Sequence, residues 1–107
     1  MTTGMRRRLK PADRQAEILA AAVELAARIG YRNMTRDAVA AEAGVSPAAI
    51  TFYFLHMSFL REAVVEEAVR RGIVPIVAEG IVAGAPAALA APQALKAQAA
   101  VSLLGAV

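Results

Sequence analysis

No cysteine occurs in the 107 residues of this chain, which removes disulfides, thiolate nucleophiles and Cys-type zinc sites together. Histidine is nearly as scarce. His56 stands alone, without a second imidazole to share a metal, and a place at a helix start or beside a phosphate suits it better than a ligand role. No glycine-rich nucleophile elbow accompanies it, so a Ser-His-Asp set cannot be assembled, and there is no GxxxxGK phosphate loop. Glu62, Glu66 and Glu67 are grouped as on a solvated helix face. Enzymatic activity, a metal and a cofactor are therefore not expected. Long apolar runs are missing as well. Gly80 to Leu95 carries no charge, but it is mostly alanine and glycine and is broken by Pro86 and Pro92. It falls short of the roughly 20 residues that a membrane span needs. The basic stretch Arg6 to Lys10 runs into Pro11 and Asp13, and the apolar region after it is broken by Glu17 and Glu24, unlike a secretory signal. A cytoplasmic location without a membrane partner is expected.

What is present is unevenly distributed. Residues 1–14 hold five basic groups (Arg6, Arg7, Arg8, Lys10 and Arg14) against Asp13 alone, whereas the remaining residues hold seven basic and eight acidic groups. The positive excess sits in one N-terminal arm, suited to phosphates or a minor groove.

Periodicity and capping residues outline four helices. The first runs from Pro11 or Asp13 to Ile29, with Ile18, Ala22, Leu25 and Ile29 on one face and Gly30 as a stop. The second spans about Arg36 to Ala43, capped by Thr35 and followed by Gly44. Ser46-Pro47 starts the third, which continues to Tyr53 or Phe54. The fourth covers Met57 to Arg71, with Leu60, Val64 and Ala68 on one face and Gly72 at its end. Beyond it the chain is alanine-rich, with Glu79 and Lys96 as its only charges and Pro75, Pro86 and Pro92 as breaks. Short helices near 76–84 and 93–104 are predicted there, packed on some other surface.

The stretch Thr35 to Phe54 has the requirements of a helix-turn-helix. Two short helices cross steeply with almost no loop, so that the second projects into a major groove. Ala40 keeps the crossing close, Gly44 supplies a positive-φ turn, and Val39, Val45 and Ile50 fill the wedge. Among the aromatics, Tyr31, Phe54 and Phe59 read as core, while Phe52 and Tyr53 divide between packing and DNA contact.

With Ile18-Leu19-x-Ala21-Ala22, Gly30-Tyr31, Thr35, Val39-Ala40, Ala43-Gly44-Val45-Ser46, Ile50, Tyr53-Phe54 and Leu60 in order, residues 14–65 resemble the N-terminal domain of TetR-family transcriptional regulators. The resemblance implies an all-α protein. A basic arm (1–12) precedes a three-helix head and its longer fourth helix (13–71), followed by a short helical C-terminal region (72–107) that serves dimerisation. It also implies double-stranded DNA as the partner and a homodimer acting as a transcriptional regulator, most simply a repressor. About 35 residues follow the fourth helix, room for one or two helices and not for a full effector domain. A small-molecule effector is therefore not supported.

The expected DNA-binding residues are Arg6, Arg7 and Arg8 in the arm, Thr35 and Arg36 at the start of the second helix, Ser46, Pro47, Ala48, Ala49, Thr51, Phe52 and Tyr53 around the third, and His56. For Arg36 the competing explanation is a surface ion pair with Asp37 or Glu42. Ala48 and Ala49 can offer only methyl contacts. Two positions depart from the family, which commonly has tyrosine where this chain has Thr51 and lysine where it has Met57. Thr51 keeps one hydroxyl donor, but Met57 cannot replace an ammonium, which would lower the salt dependence of binding by about one unit of slope. These departures motivate an alternative, a protein-interaction module that heterodimerises with or antagonises another regulator without productive DNA binding.

Overall fold

A computed structural model describes residues 10–105. Among these there is no strand, and the chain is all-α. Seven α-helices follow one another: α1 (Pro11–Ile29), α2 (Arg36–Ala43), α3 (Pro47–Phe54), α4 (Met57–Arg71), α5 (Val74–Ala83), α6 (Pro86–Leu89) and α7 (Gln93–Gly105). A single 3-10 turn, Tyr31–Asn33, links α1 to the rest of the head.

The local signals explain the first four elements. Pro11 opens α1 in a first-turn position, where its missing N–H removes nothing from the helix. Thr35 and Ser46 cap α2 and α3 with hydroxyls that accept the Ala38 and Ala49 backbone N–H groups, each at 3.2 Å. Gly44 (φ 71°) and Gly72 (φ 69°) terminate α2 and α4 in the left-handed conformation. After Gly44 the Val45 N–H returns to the Ala40 carbonyl at 3.0 Å, closing the turn between α2 and α3.

Ile18, Ala22, Val23, Leu25 and Ala26 of α1 face Val39 and Ala40 of α2, Ile50 and Phe54 of α3, and Leu60, Val64, Val65 and Ala68 of α4. Met34, fully buried before α2, belongs to the same core. That core does not stop at Gly72. Ile76, Val77 and Ala78 of α5 join it, with Ala88 of α6 and Ala99 of α7. α5 lies against both α1 and α4, and α7 packs on α5. The surface that receives the alanine-rich tail is thus the head itself.

The tail differs from its predicted outline. Its first helix begins at Val74, because Pro75 is accommodated in the opening turn, and a four-residue helix at Pro86–Leu89 separates it from α7. Gly80 lets α5 approach its neighbours: a Cβ there would stand 3.0 Å from the Ala88 Cβ and 3.3 Å from a Val65 methyl. Phe59 is a correction of another kind. Expected in the core, it is 51% exposed and its ring meets the His56 imidazole edge-on at 5.4 Å. The buried side of α4 is defined by Leu60, Val64, Val65 and Ala68, and one residue of helical rotation, about 100°, swings Phe59 out. No single described helix is long and apolar enough to cross a membrane.

Candidate nucleic-acid interface

Helix α3 is anchored on one side and open on the other. Ile50 and Phe54 root α3 in the core, while Pro47, Ala48, Thr51 and Phe52 are exposed and Ala49 and Tyr53 half-buried. Ala48, Thr51 and Phe52 stand at intervals of three and one residues, the spacing of one helical face, and exposed Leu55 follows beyond the helix end. No residue of α3 is charged.

Its ends are fixed by contacts from elsewhere. At the N-terminus the Ser46 hydroxyl occupies one of the free backbone donors. At the C-terminus Gln15 of α1 donates from its side-chain amide to the Tyr53 carbonyl at 2.8 Å, a link across 38 residues that the sequence pattern does not signal. Leu55 then turns the chain with φ 65° and ψ −60°, and the His56 N–H bonds the Phe54 carbonyl two residues back at 2.6 Å. This is a γ-turn in the strained conformation, rare for a residue with a side chain. It sets α3 and α4 at a bend of 75°. His56 forms the N-terminal boundary of α4, and its carbonyl receives the Phe59 and Leu60 N–H groups.

Thr35 and Arg36 lie exposed at the start of α2. Glu42, one of the two acids considered for Arg36, is occupied by Arg28, whose guanidinium makes two hydrogen bonds to it at 2.7 and 3.3 Å. This pairing holds the Glu42 carboxyl below its ordinary range and raises Arg28 above its own. Among the described residues Arg36 makes no ion pair. Met57 is half-buried and packs against the core. Arg6, Arg7 and Arg8 lie outside the described residues.

A second link crosses from the tail into the head. The Glu79 carboxylate on α5 accepts the Tyr31 backbone N–H in the turn that leads towards α2. Tyr31 is buried as expected, and desolvation pushes its phenol above its ordinary pKa. Sequence spacing carries no trace of this contact, since 48 residues separate the partners.

Compared with protein families, residues 18–64 match the bacterial regulatory proteins of the tetR family. The match begins inside α1 and ends inside α4, spanning both capped helices of the helix-turn-helix. Residues 18–64 form a TetR-family helix-turn-helix domain. Neither the curated proteins nor the solved structures returned a match to the chain. That family is one of DNA-binding transcription regulators and not of enzymes.

Proposed function

We propose that this TetR-family protein is a homodimeric repressor that occupies operator DNA with one α3 from each protomer in the major groove. The observation that carries the reading is the posture of α3. Its apolar side is locked into the core through Ile50 and Phe54, and its opposite side is uncharged and open. On this reading Pro47, Ala48, Ala49, Thr51, Phe52 and Tyr53 lie along the base edges. Thr35, Arg36, Ser46 and His56 meet the backbone, and the Arg6–Arg8 arm adds phosphate or minor-groove contacts with little sequence preference. Exposed Val82, Val101 and Leu104 on α5 and α7 offer apolar surface for a second copy, which would supply a second half-site about one helical turn away.

A gel-shift titration against duplex DNA from upstream of its own gene, paired with sedimentation, tests this reading. A dimer that shifts one site in preference to random duplex is expected. A monomer that binds one operator tightly would overturn the dimer, and uniform binding to every duplex would overturn sequence-specific repression. The alternative, a partner that heterodimerises with another regulator, is favoured by Met57. Its side chain is committed to core packing where a phosphate-binding lysine would extend. That alternative predicts a specific shift only when the second regulator is added.

A further inference from the structure

The outward stripe of α3 has an unusual chemistry for a reading helix. Ala48, Thr51 and Phe52, continued by Leu55, present a methyl, a hydroxyl beside a methyl, a phenyl ring and an isobutyl group. Phe52 is 73% exposed and Leu55 63%. The pairings that identify bases by hydrogen bonds use arginine or lysine on guanine, asparagine or glutamine on adenine, and carboxylates on cytosine. None of these residue types occurs in α3. One hydroxyl, on Thr51, is the stripe's whole hydrogen-bonding capacity.

The major-groove edge has one apolar feature, the C5-methyl of thymine. We infer that α3 selects its half-site by apolar contact with thymine methyls, with Phe52 as the principal specificity-determining residue. This rests on the reading that α3 enters the major groove of an operator. Phe52 is well placed for it. Its ring is supported edge-on by Tyr53, with centroids 4.9 Å apart and planes at 86°, so part of its rotational freedom is lost before DNA arrives. Tyr53 sits at the position whose backbone carbonyl is held by Gln15. A phenyl ring left in water gains by covering a methyl, whereas against cytosine it would cover an amino donor that it cannot satisfy.

The test starts from a duplex enriched by the full-length protein from a randomised library. Each thymine in the site is then replaced by deoxyuridine, which removes one methyl and leaves base pairing and the O4 acceptor intact. At one or two thymines per half-site the affinity should fall about fourfold, the value of one buried CH₂-sized group. Phe52→Ala should bind more weakly and abolish the thymine–uracil difference at one of those positions, while Phe52→Leu retains part of it. Helicity measured by circular dichroism controls for folding of both variants. An enriched site that is indifferent to uracil at every position overturns the inference and leaves operator binding standing. Failure to enrich any sequence overturns both. If Phe52→Ala alters self-association and leaves the thymine–uracil difference intact, the stripe is a protein contact and the inference falls.

Discussion

The head and the tail fill one interior with different materials. α1–α4 contribute Ile18, Leu25, Ile50, Phe54, Leu60 and Val64, side chains with several rotatable or branched carbons. α5 adds Ile76 and Val77, whereas α6 and α7 bury completely only Ala88 and Ala99, with Leu95 and Leu103 of α7 partly buried against the same core. A buried alanine excludes little water and makes few dispersion contacts, so the fully buried position of α7 contributes less than those of α4. Close approach partly compensates, as at Gly80, because small side chains bring helix backbones together. The lesson is that the boundary at residue 72, clear in composition, is not a boundary in packing. α5 belongs to the head's core, and the decline in anchoring comes after it.

The largest effect that could break this comparison comes from cutting equivalent side chains on either side of Gly72. Ile76→Ala and Leu60→Ala should each lose about 2–5 kcal/mol, as fully buried aliphatic truncations do. In urea titrations both should retain a single transition, since one core is being weakened. Two separated transitions for Ile76→Ala would mean that the tail melts by itself. Gly80→Val probes the close approach. Its side chain must displace Ala88 and Val65, and stability should fall by about 1–3 kcal/mol. An unchanged midpoint would mean that α5 can move away freely.

Capping belongs to the head alone in this comparison, since α5 and α6 have no side-chain cap. Thr35→Ala and Ser46→Ala should each cost about 1 kcal/mol in the same titration. Thr51→Ala, exposed and away from the caps, should stay within about 0.5 kcal/mol. The smallest effect concerns Arg28 and Glu42. Because Glu42 titrates below its ordinary value in the folded chain, its contribution is complete above the unfolded pKa and is lost as pH falls through the folded one. Both groups are solvent-screened, so the thermal midpoint of Glu42→Gln should trail the parent's slightly at neutral pH and converge with it in acid. A gap that widened on acidification would contradict the sign.

Much of the head was legible because its signals are local. Thr35, Gly44, Ser46-Pro47 and Gly72 each act on their own turn of backbone, and the bounds of α2, α3 and α4 follow from them. The resemblance to the tetR family drew on the same residues, and the match over 18–64 bears it out. The tail was harder to read. Uniform alanine gives no period to follow, and a proline can open a helix as readily as end one, as Pro75 and Pro86 do. Phe59 is misjudged from sequence because it adjoins Leu60 in the first turn of α4, where only Leu60 falls on the buried side. Links such as Gln15 to Tyr53 and Glu79 to Tyr31 join distant segments and exist only once the chain has collapsed. The open face of α3 was legible in composition, whereas its support by Tyr53 and Gln15 was not.

Leu55 holds its turn at φ 65° and ψ −60°. An isolated peptide seldom visits that backbone conformation, which costs of order 1–3 kcal/mol for a residue with a side chain. The bend between α3 and α4 is therefore not encoded where it occurs. It is imposed by Phe54 on one side and Leu60 on the other, both held in the interior. The orientation of α3 is thus a collective property of the folded head, and a loosened core would spoil that orientation before it unwound the helix.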